Sequence, residues 1–125
     1  MSAAADAAAS ARAVFARRVD AWLAEDVDGY LACWRADMTI TLPGRDEPIV
    51  GIDAYRELVE QSFRWARPVA FDVHHLALDG AVVLAEWSIR VERRHDGATI
   101  AWDGASACEL RDGSISWWRE YHRRR

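Results

Sequence analysis

An α+β fold, a curved antiparallel sheet packed around three helices, is what this 125-residue sequence predicts. Two observations carry the prediction. Apolar residues recur at helical spacing up to about residue 69 and at strand spacing after it, and Asp79-Gly80, Asp96-Gly97 and Asp112-Gly113 punctuate the second part. The length suits one core and is too short for two. Helices followed by a strand meander pack into the concave side of the sheet.

The first helix joins an alanine-rich start to Phe15, Val19, Trp22 and Leu23 on one face. Residues 1–10 are expected to fray, and 123–125 to form a solvated tail, within a domain covering 1–125. Asp26 can cap a short second helix carrying Val27, Tyr30, Leu31 and Trp34 at i, i+3, i+4 and i+7. A strand from Met38 to Leu42 leads into a turn-rich loop, Pro43 to Gly51. A third helix from about Ile52 to Ala66 buries Tyr55, Leu58, Val59, Ser62 and Phe63, and Pro68 closes it.

Asp-Gly favours the positive φ values of tight hairpin turns, so four long strands follow, roughly 69–78, 82–94, 98–111 and 114–122. Strands of that length must twist, and Gly104 is read as a bend or bulge. In the second of them Val83, Ala85, Trp87, Ile89 and Val91 face inward. In the third the inward set is Ile100, Trp102, Gly104, Ser106, Cys108 and Leu110. A two-residue turn at Asp96-Gly97 places Val91 opposite Trp102 and Trp87 opposite Ser106. The last strand admits two readings. A two-residue turn at Asp112-Gly113 puts Leu110 opposite Ile115 and turns Glu120 outward, whereas a longer loop with a bulge reverses that.

Composition removes several classes of chemistry. The chain has no lysine and no asparagine, hence no Schiff-base lysine, Walker-type lysine or N-glycosylation acceptor. Arginine-only cations and abundant alanine suggest a GC-rich bacterial coding bias. The net charge of −4 argues against a nucleic-acid partner, with Arg123, Arg124 and Arg125 as the only basic run. Cys33 and Cys108 are read as buried, reduced thiols of a cytoplasmic protein. No stretch has the secretory core or the roughly 20 apolar residues of a membrane span, so no membrane partner is expected.

The C-terminal run Arg111-Asp112-Gly113-Ser114-Ile115-Ser116-Trp117-Trp118-Arg119-Glu120-Tyr121 is similar to the closing strand "D/E-G-K-I … W-R-D-Y-F-D" of limonene-epoxide hydrolases. A second match, Gly51-Ile52-Asp53-Ala54-Tyr55-Arg56, leads into the third helix. From about Val14 to His122 the chain resembles the nuclear transport factor 2-like superfamily, in its SnoaL-like branch of polyketide cyclases, ketosteroid isomerases and limonene-epoxide hydrolases. The resemblance implies a cone-shaped, cystatin-like fold and favours the bulged closing hairpin, with Trp118, Glu120 and His122 turned into the cavity. It puts the hydrolases' closing aspartate on Glu120, and their arginine and second aspartate on Trp87 and Ile89. The isomerases' shuttling aspartate falls near Leu42, their oxyanion-hole aspartate near Ser106, and their tyrosine near Arg18.

Glu120 is therefore the candidate acid–base residue. Tryptophan walls would strip its hydration and raise its pKa toward the range of a general acid or base, and His122 could orient it or relay its proton. Trp87, Ile89, Trp102, Ser106 and Trp118 are the candidate contacts to a small hydrophobic ligand. Trp22, Trp34 and Trp65 are read as packing residues. His74 and His75, adjacent on a strand, are expected on opposite faces, and they lack the spacing of a metal clamp. No metal or cofactor is expected. Trp117 and Tyr121 on the outer sheet face suggest a homodimer. A non-catalytic ligand binder and a protein-interaction module with a filled cone are the alternatives.

Overall fold

The computed structural model describes residues 2–125. Helix α1 (Ala3–Leu23) opens at Ser2, whose side chain accepts a hydrogen bond from the Ala5 amide at 3.1 Å. Residues 3–10, expected to fray, are thus capped and helical. Helix α2 (Val27–Leu31) has the expected cap, Asp26 accepting from the Gly29 amide at 3.0 Å, but it ends early. Trp34 leaves it and starts strand β1 (Trp34–Thr41). The competing interaction is a strand ladder: the Cys33 carbonyl accepts from the Ile115 amide at 2.9 Å, and Trp34 pairs with Ile115.

The two-residue β2 (Ile49–Val50) pairs with β1 and leads through Gly51 into helix α3 (Ile52–Trp65). Gly51 has φ 90° and its amide donates to the Met38 carbonyl at 2.7 Å, a close turn that favours glycine. Strand β3 (Ala66–Asp79) starts directly after α3, so Pro68 lies within it. A proline is tolerated there because β3 is an edge strand. Strands β4 (Val82–Arg93), β5 (Thr99–Arg111) and β6 (Ser114–Arg124) complete a sheet ordered β2-β1-β6-β5-β4-β3. Arg123 and Arg124, expected in the tail, belong to β6. The β1–β6 pair is parallel, so the sheet is mixed where an antiparallel one was predicted. These strands are far apart in sequence, and no hairpin dictates their direction.

Both hairpins that set the inner face differ in detail from the sequence reading. Between β4 and β5 the Arg93 amide bonds the Ala98 carbonyl at 2.8 Å, which leaves a four-residue loop. Asp96 holds that loop, accepting from Arg93 Nε at 2.9 Å and from the Ala98 amide at 3.1 Å. The register is therefore two residues away from the predicted one: Val91 faces Ile100, Ile89 faces Trp102 and Trp87 faces Gly104. An even shift keeps each side chain on its face, so Val83, Ala85, Trp87, Ile89 and Val91 are all buried as expected. Gly104 makes no bulge with β4. A Cβ built there would lie 2.3 Å from two atoms of the Trp87 ring, so glycine makes room for the indole.

The closing hairpin combines both sequence readings. Asp112 and Gly113 have φ 53° and 79°, a tight two-residue turn, and Leu110 faces Ile115. The register then shifts: Glu109 faces Trp117, leaving Ser116 as the extra residue of a bulge. Ser116 Oγ donates to Glu109, 2.8 Å from Oε1 and 3.2 Å from the carbonyl, which fixes the kink. Ile115 and Trp118 can then both be buried. Glu120 and His122 share the inner face with Trp118.

Candidate functional site

The inner sheet face and the three helices enclose a cavity of about 170 Å³. Strands β4 and β5 supply Trp87, Ile89, Val91 and Trp102, and β6 supplies Glu120. Helices α1 and α2 contribute Arg18, Trp22 and Tyr30, while α3 contributes Tyr55, Leu58, Val59, Ser62, Phe63 and Trp65. Trp65, 47% exposed, marks the rim, whereas Arg18, Tyr30, Tyr55 and Trp87 are buried. Trp22 meets Phe71 edge-on with ring centroids 5.4 Å apart, closing the side under β3. Trp22 and Trp65 therefore line the cavity, beyond the packing role read from their helices.

Of the residues singled out from the sequence, Glu120, Trp87, Ile89 and Trp102 line this space. Ser106 and Trp118 face inward but do not reach it. Ser106 lies behind Trp87 and accepts a hydrogen bond from the indole Nε1 at 3.1 Å. Trp118 is covered by Arg18, whose guanidinium carbon sits 4.1 Å from its ring centroid. His122 borders the site from outside the cavity, its ring 5.7 Å from each of Trp87 and Trp102 and its side chain 31% exposed. Neither His74 nor His75 lines it. A register shift between Val73 and His75 puts both on the outer face, where His74 pairs with Ser88 at 2.7 Å and His75 with Glu86 at 3.0 Å.

Glu120 is held by two neighbours. Its Oε1 accepts from Trp118 Nε1 at 2.8 Å, and its Oε2 hydrogen-bonds His122 Nε2. Across the cavity a second polar group was missed by sequence reasoning. Arg18 Nη2 donates to the Tyr30 hydroxyl at 3.0 Å, which is 3.0 Å from the Tyr55 hydroxyl. Burial opposes the charge of Arg18, but Tyr30, Tyr55 and Glu120 favour it more, so its pKa rises. Burial also pushes the Tyr55 phenol well above its usual value, Tyr30 adding to this and Arg18 opposing it. Both groups therefore keep their protons at neutral pH. One signal pointed to Arg18: it lies three residues after Phe15 and four before Trp22, an arginine on the apolar stripe.

Cys33 and Cys108 are free and buried. Burial pushes the Cys108 thiol up to about 12, which leaves it protonated and a poor nucleophile.

The SnoaL-like domain profile matches residues 15–118, most of the chain and every cavity-lining residue except Glu120. The chain belongs to the SnoaL-like domain family. No curated protein sequence matches it. Among solved structures, this SnoaL-like domain is similar to a provisionally named isomerase from Bacillus subtilis, at 19% identity and TM-score 0.85, covering 94% of this chain and 88% of that one. It is also similar to an LEH-like epoxide hydrolase from M. tuberculosis, at 22% identity and TM-score 0.78, covering 92% and 84%. A protein of ketosteroid isomerase-like fold from Catenulispora acidiphila, in complex with trimethylamine, follows at 14% identity and TM-score 0.77, covering 86% and 83%. At these identities the likeness establishes the fold alone, a nuclear transport factor 2-like one. No helix among the described residues is long and apolar enough to cross a membrane.

Proposed function

We propose that this SnoaL-like domain binds a small hydrophobic molecule in its tryptophan-lined cavity and acts on it by cofactor-free acid–base chemistry through Glu120. The reading rests on one observation: a mainly apolar cavity lined, among the described residues, by one carboxylate, Glu120. Ligand pockets pair apolar walls with a few placed polar groups in this way. The volume of about 170 Å³ lies below the usual range of about 300–1,000 Å³, which favours a compact, terpene-sized molecule over a steroid. His122 would orient Glu120 and pass its proton toward solvent, since its ring bridges the carboxylate and the surface. Isomerisation, cyclisation and hydrolysis all fit a single positioned acid–base group.

Titration with a panel of neutral lactones, epoxides and terpenes, followed by tryptophan fluorescence, tests this. Saturable quenching is expected in the native protein and in Glu120→Gln, with turnover of any panel substrate lost in the variant. Binding with no turnover in either protein would favour a non-catalytic binder. Silence across the panel would favour a protein-interaction module.

The outer sheet face supports a further part of the proposal, association with a second copy of the chain. Tyr121 is 62% exposed and Leu84 47%, and Trp117 flanks them on β6. Sedimentation velocity is expected to give the mass of a dimer, and Tyr121→Asp that of a monomer. A native monomer at micromolar concentration would refute the association.

A further inference from the structure

We infer that the ligand is a hydrophobic carboxylate whose anionic oxygens dock on Arg18 at the buried end of the cavity. This rests on the ligand-binding reading above and names the class of molecule. Arg18 is 3% exposed and lines the cavity, yet two of its three guanidinium nitrogens, Nε and Nη1, have no hydrogen-bond partner among the described residues. Buried polar groups in folded proteins are nearly always satisfied, and a buried charge needs a counter-charge.

The surroundings supply only part of what Arg18 needs. Trp118, Tyr30, Phe15 and Trp34 stand 4.1, 5.2, 5.6 and 5.9 Å from its guanidinium carbon. Aromatic faces stabilise the cation, but they leave its in-plane N–H donors unused. Glu120 lines the same cavity without reaching Arg18. Among the described residues no ion pair joins them, and the carboxylate oxygens instead bond Trp118 and His122. The protein thus holds a buried cation beside an apolar space, with the Tyr30 hydroxyl accepting from Nη2 and no acceptor among the described residues for Nε and Nη1. A planar carboxylate matches the fork geometry of guanidinium, and a compact hydrocarbon body would fill the space toward Trp65. Glu120, of the same sign as the ligand, would meet its uncharged part.

Calorimetric titration with the matched pair 4-isopropylbenzoate and 4-isopropylbenzyl alcohol tests the assignment. Charge-assisted hydrogen bonds should make the carboxylate bind about tenfold or more tightly than the alcohol in the native protein. Arg18→Met should remove that preference, so that the two probes bind alike. Glu120→Gln, which removes a like charge, should tighten the carboxylate several-fold relative to the alcohol. If Arg18→Met does not fold, the native preference and its rise in Glu120→Gln decide the matter. Equal affinity for the two probes, or preference for the alcohol, would overturn the Arg18 assignment while sparing the ligand cavity. Failure of both probes to bind would overturn both.

Discussion

Trp118→Ala is expected to lower the unfolding free energy by about 3–5 kcal/mol, the usual loss for an aromatic side chain removed from a core. Three separate interactions end on this indole. It packs against Phe15 and Trp34 at centroid distances of 5.7 and 5.8 Å, covers the guanidinium of Arg18, and donates to Glu120. Its removal would open a void beside a buried cation, so the loss should fall in the upper part of that range. Trp118→Phe keeps most of the packing and loses the hydrogen bond, and should cost clearly less. Urea denaturation with a constant m-value checks both. A loss under about 1 kcal/mol for Trp118→Ala would mean that Arg18 and Glu120 do not depend on this ring.

Gly104→Ala should destabilise by about 1–3 kcal/mol through overpacking, although alanine is ordinarily favoured over glycine within a strand. The added Cβ falls 2.3 Å from two atoms of the Trp87 ring and 2.7 Å from a third. That ring cannot swing away freely, because Ser106 anchors its Nε1 and Phe71 packs on it with centroids 5.8 Å apart. The decisive comparison is a double-mutant cycle. In a Trp87→Phe background the crowded ring atoms are gone, and Gly104→Ala should cost little or become favourable. An equal cost in both backgrounds would place the reason for this glycine elsewhere.

The sequence made the architecture legible because its signals are local. Asp112-Gly113 forms the tight turn it advertises, Asp26 caps α2, and strict alternation from Val83 to Val91 identifies the buried face of β4. The misreadings come from interactions between distant segments. Trp34 fits the spacing of α2, but the pairing partner that draws it into β1 is Ile115, at the far end of the chain. Asp96-Gly97 looks like a two-residue turn, yet Arg93 and Asp96 close a longer loop. The bulge at Ser116 depends on a hydrogen bond to Glu109 across the hairpin, and it alone decides that Glu120 faces the cavity.

At the site, alternation found Trp87, Ile89 and Trp102, because period-two spacing reports which face a residue takes; Glu120 came from the resemblance of the closing strand, since alternation left its face open. Alternation could not tell a wall residue from one lying behind it. Ser106 and Trp118 share the inner face but are covered by Trp87 and Arg18 respectively. The polar cluster of Arg18, Tyr30 and Tyr55 draws on three helices, so no single motif contains it.

Whether the tryptophan-lined cavity holds ligand is tested most directly by intermolecular nuclear Overhauser effects from bound 4-isopropylbenzyl alcohol. Cross-peaks to indole protons of Trp22, Trp87 and Trp102 are expected, all three rings lining the same cavity. Cross-peaks confined to Trp117 or Tyr121 on the outer face would contradict the cavity as the binding site.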